Sequence, residues 1–151
     1  MKLSTRDIVY IGFIAALCAV ATTIRIEIPG GAMVHLGSAA LFTTSILFGG
    51  LYGGLGAAIG SALFDLFGGH TQYIVFSFFI KGIAGLIVGG LTAGYLPPSI
   101  NKPTASFGRI LVALIIGAIW TAFGYFLAWW FVLESAVVAA SKIQYSLITS
   151  A

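Results

Sequence analysis

Residues 49–60 read GGLYGGLGAAIG, six glycines in twelve positions, inside a stretch from 34 to 96 that is apolar almost throughout. In water such glycine density would mark a loop, because each interior glycine costs a helix about 1 kcal/mol relative to alanine. Inside lipid the inference reverses. No water is present to satisfy backbone groups, so an apolar segment must be helical or part of a closed barrel. Small residues there let neighbouring helix backbones approach closely. The segment predicts a tight, glycine-faced helical hairpin with its turn near residues 49–54, in a membrane protein organised around it.

The composition agrees. Of 151 residues, 60% are hydrophobic and 7% charged, with a mean hydropathy of +1.09; soluble domains average roughly 25% charged. A transmembrane barrel would alternate in polarity over segments of about ten residues, whereas these apolar runs are continuous. The class is an all-α integral membrane protein. At roughly 20 residues per crossing, residues 1–151 hold one compact domain of five or six helices and no soluble catalytic domain. The single cysteine, Cys18, excludes a disulfide framework or a paired-cysteine metal motif. Residues 1–7 lead into an apolar run without a small-residue cleavage pattern before Arg25, so no cleavable signal is expected.

Lys2 and Arg6 precede a first helix over 8–24, which puts the amino terminus on the cytoplasmic side. On that helix Gly12, Ala15, Ala16 and Ala19 recur at three- and four-residue spacing, a packing face for the protein itself or for a partner. Residues 25–38, RIEIPGGAMVHLGS, read as a short extended piece and a turn. A loop this long in a compact domain is often a lid or binding loop. The apolar run over 36–67 is too long for one crossing and short for two, unless its helices are short or tilted. Asp65 falls at the outer end of the third helix, and residues 68–72 form a second outer loop.

A fourth helix over 73–95 carries Lys81 about two turns from its outer end and is stopped by Pro97 and Pro98. Lys102 and Arg109 then fall on the inner side, in agreement with the first helix. A fifth helix over 107–133 ends in Trp120, Phe123, Tyr125, Phe126, Trp129, Trp130 and Phe131, residues of which Trp and Tyr favour the membrane interface. After Glu134 and Ser135 a sixth helix starts near 137 and carries Gln144 and Tyr145. Ala151 follows too soon for a full span, so the expectation is six transmembrane helices, the sixth truncated.

Lys81 is the sharpest single residue, because a lysine at membrane depth usually pairs or lines a cavity. Snorkelling, or a purely stabilising pair with Asp65, is its plainer explanation. Asp65 itself could be a solvated helix end. His35 and His70 lie in the two outer loops and could meet over one cavity mouth. With Asp65 they resemble a metal set, but they lack helical ligand spacing, and no metal is expected. Gln72 and Tyr73 lead into the fourth helix, Tyr125 and Trp129 share a face of the fifth, and Glu134 and Gln144 complete the candidates. Together they compose an aromatic-walled pocket with a few polar groups, as small-molecule sites require. Membrane-interface packing is the plainer account of the aromatics, above all Trp130 and Phe131. No catalytic or phosphate-loop motif is present in the sequence, no cofactor is expected, and no basic patch suggests nucleic acid.

The segment GAMVHLGSAALFTTSILFGGLYGGLGAAIGSALFDLFGG, with the small-residue face at Ala15 and Ala19 and the Pro-Gly loop, resembles the S components of energy-coupling factor (ECF) vitamin transporters. The resemblance covers nearly the whole chain and is most specific over 35–69. It departs at Gly50, where the family's turn usually has proline, and at the abbreviated sixth helix. It implies a prokaryotic plasma-membrane subunit that captures a vitamin or precursor under the loop between helices one and two. It also implies docking on a transmembrane coupling subunit through Gly12, Ala15, Ala16 and Ala19, with two ATP-binding subunits supplying the hydrolysis. Residues 27–36 become the lid. Within the family the sequence looks closest to the hydroxymethylpyrimidine or pyridoxine group, and the riboflavin, thiamine, biotin and folate members look less similar. Two other readings compete: a membrane enzyme using Asp65, Lys81 and His70, and a structural protein whose glycines only pack helices.

Overall fold

The computed structural model describes residues 4–28, 32–95 and 105–133. In chain order these form α1 (Thr5–Thr23), β1 (Arg25–Ile28), β2 (Ala32–His35), α2 (Gly37–Phe48), α3 (Gly50–Phe67), a 3-10 turn (Thr71–Tyr73), α4 (Ile74–Thr92) and α5 (Phe107–Leu133). Among the described residues four helical stretches, Thr5–Thr23, Gly50–Phe67, Thr71–Thr92 and Phe107–Phe131, are long and apolar enough to cross a membrane, and α2 is a shorter apolar helix. The sixth helix expected from about residue 137 lies outside the described residues.

The helices begin and end for identifiable reasons. Ser4 caps α1 in a reciprocal capping box: its backbone N–H donates to Asp7 Oδ2 at 2.8 Å and its hydroxyl accepts from the Asp7 N–H at 3.4 Å. Asp7 also accepts from the Tyr52 hydroxyl at 2.5 Å, joining α1 to α3. The chain reverses at Gly49, whose φ of +87° lies in the region that side chains disfavour. The turn is thus narrower than the glycine content suggests. It is Gly49, and the glycines from Gly50 to Gly60 are helical. The first free N–H groups of α3 are not left to lipid, since Gly50 donates to the Gly94 carbonyl and Leu51 to the Tyr95 carbonyl, both at 2.9 Å. The end of α4 therefore caps the start of α3.

Those two helices run antiparallel with their backbones nearly touching. A methyl placed on Gly85 would lie 2.7 Å from Gly54 Cα, and one on Gly50 would lie 2.9 Å from the Gly90 nitrogen. The opposite side of α3 receives α1, where a methyl on Gly60 would lie 2.5 Å from the Ala15 carbonyl oxygen. Between these contacts sits the apolar core of Ile11, Ile14, Cys18, Leu41, Phe42, Tyr52, Ala57, Ala84 and Val88. The fifth helix joins through the Trp120 indole N–H, which donates to the Ile80 carbonyl at 3.1 Å, and through Gly117 against Val88 and Phe42.

The extended piece after α1 is a hairpin, β1 and β2, pairing Arg25 with His35 and Glu27 with Met33 in antiparallel register. Leu36 N–H donates to the Ile24 carbonyl at 3.2 Å, which ties the hairpin's base to the end of α1. The hairpin and the 68–73 loop thus lie at the same end of the bundle as the close of α1 and α3.

The glycine contacts make opposite predictions at two positions. Gly85→Ala puts a methyl against backbone that has nowhere to go and is expected to destabilise the fold by about 1–3 kcal/mol, the usual penalty for overpacking. Gly12→Ala meets nothing within 4 Å and is expected to leave stability intact. Thermal unfolding of the detergent-purified variants checks both; equal melting of wild type and Gly85→Ala would refute the close-contact account.

Candidate functional site

Lys81 lies on α4 and is only 3% exposed. A buried ammonium is costly unless its protons are accepted. The structure supplies Ser38, at the start of α2, whose hydroxyl accepts from Lys81 Nζ at 2.8 Å. The same ammonium lies 5.4 Å from the centre of the Tyr125 ring on α5, close enough for attraction to the ring's negative face. One turn nearer the hairpin end, Ser77 Oγ is 3.1 Å from the Tyr125 hydroxyl and also faces the Asp65 carboxylate on α3. The residues Ser38, Asp65, Ser77, Lys81 and Tyr125 therefore form one polar cluster drawn from four helices.

Asp65 is 8% exposed, so it is not the solvated helix end that its place near the close of α3 suggests. Its Oδ2 is buried and has no hydrogen-bond partner among the described residues. An unpaired buried acceptor carries its full desolvation penalty, and a carboxylate oxygen with no partner among the described residues is a natural place for a ligand's donor. Another such atom is close by. His70 Nδ1 is also buried without a hydrogen-bond partner among the described residues; its backbone N–H donates to the Asp65 carbonyl at 2.8 Å, and its ring stacks on Phe64 at 6.2 Å and 12°. Arg25 of β1 lies over that same Phe64 ring at 5.2 Å.

Aromatic walls flank the cluster. Tyr125 and Trp129 meet at 5.9 Å between ring centres, and Trp129 adjoins the half-buried Tyr73. His35 sits at the base of the hairpin, where its Nδ1 accepts from the Gly37 N–H at 3.1 Å and so helps to start α2. Burial first, and then the nearby positive charges of Lys81 and Arg25, push its pKa down to about 3. His35 is therefore a neutral acceptor at the pH of the cell.

Of the residues singled out from sequence, the structure brings together Asp65, Lys81, Tyr125 and Trp129, with His35, His70 and Tyr73 around them. Gln72 is exposed on the 3-10 turn. Glu134 and Gln144 lie outside the described residues. Lys81 binds Ser38, a partner that sequence reasoning missed, and Ser77 was missed as well. Ser77 carried a usable signal, since it stands four residues before Lys81 and so shares its helix face; Ser38 carried none. No group of three His, Cys, Asp or Glu side chains that could hold a metal occurs among the described residues. On α1, Gly12 and Ala16 are exposed, Ala19 is half-buried, and Ala15 is buried against α3.

The polar cluster is thus buried within an apolar helical bundle, and a comparison with known families supplies the family. The family model described as "ECF-type riboflavin transporter, S component" matches residues 2–150. The chain belongs to that family. It is a multi-pass plasma-membrane protein. An uncharacterized protein in gap 3'region of Pyrococcus woesei is similar to this S component, 34% identical over 103 residues that make up 68% of this chain and 63% of that protein. The aligned part thus spans less than two-thirds of the curated relative.

The neutral histidine sets a pH dependence. Unfolded His35 takes up a proton near pH 6.5, whereas folded His35 resists protonation down to about pH 3. The unfolded state therefore binds more protons between those values, and stability falls as pH drops through that window. The S component is expected to melt at lower temperature at pH 4.5 than at pH 7.5. His35→Asn, which keeps an acceptor but cannot titrate, is expected to shrink that difference; an unchanged difference would remove His35 from the account.

Proposed function

We propose that the cluster of Asp65, Ser77, Lys81, Ser38 and Tyr125 binds a flat heteroaromatic vitamin or vitamin precursor in this S component, captured beneath the β1–β2 hairpin. The observation that carries this reading is the buried Asp65 Oδ2, which has no hydrogen-bond partner among the described residues, in the same cluster as the buried Lys81. An acceptor and a cationic donor at one site suit a ring that bears a donor and an acceptor on one edge. Tyr125 and Trp129 offer faces on which such a ring stacks. His35, His70, Gln72 and Tyr73 are the further contacts, with Glu134 and Gln144 completing the set from the rest of the chain in a six-helix bundle.

Three substrates fit this chemistry. The sequence resemblance favours hydroxymethylpyrimidine or a pyridoxine-like ring, and the family description favours riboflavin. Capture is followed by docking on a transmembrane coupling subunit, with two ATP-binding subunits driving release inside the cell. With the amino terminus cytoplasmic, the hairpin end faces outward and meets substrate first. Gly12 and Ala16, exposed on α1, are the docking contacts, half-buried Ala19 borders them, and Ala15 supports them from within.

Calorimetric titration of the purified protein with riboflavin, hydroxymethylpyrimidine and pyridoxine separates the substrates. Tight binding of one ring compound is expected, with Asp65→Asn and Lys81→Gln each weakening it about 10-fold or more, the worth of a hydrogen bond to a charged group. Absence of binding to all three, or undiminished binding in both variants, would overturn the assignment. Docking is tested separately. Ala16→Leu is expected to abolish vitamin uptake by the assembled transporter while leaving the titration unchanged, and a loss of binding in that variant would count against the docking role.

A further inference from the structure

Ser77 decides which way the hydrogen bonds of the polar cluster run. It is 2% exposed on α4, with its Oγ 3.1 Å from the Tyr125 hydroxyl of α5. On its other side the Ser77 hydroxyl is hydrogen-bonded to the Asp65 carboxylate of α3. A serine hydroxyl has one proton to give, and an ionised carboxylate can only accept. The Ser77 proton therefore goes to Asp65, which leaves Ser77 Oγ to accept from Tyr125. The Tyr125 proton is in turn committed to Ser77 and is not on offer to a ligand. Tyr125, Ser77 and Asp65 thus form a chain of donors that all point one way, and such chains strengthen along their length. The chain ends at Asp65 Oδ2, which is buried and has no hydrogen-bond partner among the described residues. The counter-charge for the carboxylate is Lys81, the buried cation of the same cluster.

On the reading that this cluster captures the ring, we propose that Ser77 is the positioning residue that sets its specificity, restricting the bound ring to an edge that brings an N–H or O–H donor to Asp65 Oδ2. A ring that presents a bare lone pair there meets a second acceptor, and both are left buried with no proton between them. Rejection of that kind is strong, because the polar group of the site itself goes unpaired. A purely structural link between α4 and α5 is the plainer account of the same hydrogen bonds. The two accounts differ in one respect. A link alone changes the affinity for every ring by the same factor, whereas the polarity of the chain changes the ratio between rings.

Calorimetric titration of the full chain with matched pairs of ring compounds, each pair differing in one donor, tests the assignment. The pairs are hydroxymethylpyrimidine and its analogue with methyl in place of amino, riboflavin and riboflavin methylated on the ring imide nitrogen, and pyridoxine and its phenol methyl ether. Within the pair that binds, the donor-bearing compound is expected to bind about 10-fold or more tightly in the wild type. Ser77→Ala is expected to bring that ratio close to one, since Asp65 loses its fixed partner and the Tyr125 proton is released to serve a lone pair. Ser77→Thr, which keeps the hydroxyl, is expected to restore the ratio, and Tyr125→Phe, which keeps the Ser77–Asp65 bond, to preserve it. Ligand-free infrared spectra of protein with isotope-labelled aspartate give a second reading. The carboxylate band that Asp65→Asn removes is expected to move in Ser77→Ala and to stay in place in Ser77→Thr. Failure of all three rings to bind would remove the capture reading and this proposal with it. Equal affinities within a pair, a ratio untouched by Ser77→Ala, or an unmoved carboxylate band would overturn the proposal alone and leave capture standing. If Ser77→Ala does not fold, Ser77→Cys, a weaker donor, is expected to lower the ratio in its place.

Discussion

Everything in this bundle depends on how closely α3 and α4 approach each other. Helices in lipid gain nothing from expelling apolar surface from water, since the lipid is as apolar as they are; association rests on contact and on hydrogen bonds. Along α3 and α4 the contact is backbone to backbone, through Gly50, Gly54, Gly85 and Gly89. That seam is sealed at one end by the Gly94 and Tyr95 carbonyls, which accept from the first N–H groups of α3. The same amino-acid type that weakens a helix in water is what allows this pair to form in a membrane.

Once that pair is fixed, the remaining helices have defined places. The opposite face of α3 takes α1 through Gly56 and Gly60, α2 folds back from the hinge at Gly49, and α5 lies across α4 through Gly117, Trp120 and Gly124. Each joint pairs a small residue with backbone or with a large side chain, and the apolar core fills what is left. The 12-residue α2 is about 18 Å long, too short to span by itself. Its task is positional. It carries Ser38 to Lys81 and connects the hairpin to the bundle through His35 and Gly37.

The sequence made the membrane class, the reversal at Gly49, the depth of Lys81 and the family legible, because each depends on local composition or on a single unusual residue. Contacts across helices were harder to read. Asp65 stands two residues from the end of α3, which in sequence resembles a solvated terminus; in the fold it is buried, facing Ser77 of another helix, and its carbonyl accepts from the His70 N–H of the following loop. Ala15 and Ala16 are equally small, and a step of one residue turns a helix by about 100°. Residue size alone cannot say which of them faces inward, and Gly60 decides for Ala15. The pairing of Arg25 with His35 likewise needs the hairpin's register, which the motif Pro-Gly-Gly locates without specifying.

The α3–α4 pair also explains why the polar cluster is where it is. In antiparallel helices the seam that begins at Gly50 and Gly89 passes Gly54 and Gly85, reaches Ala58 and Gly82, and arrives at Asp65 and Ser77. Its first half is glycine and can close completely. In its second half a carboxylate and a hydroxyl replace glycine, and they must be satisfied inside a medium that offers no water. The tight half holds the polar half in place, and the Asp65 Oδ2 there has no hydrogen-bond partner among the described residues. If the proposed site is correct, a rigid seam that ends in such an acceptor has its organisation set before anything binds. A ligand that supplies the missing donor then gains the full value of the contact without the cost of ordering the protein around it.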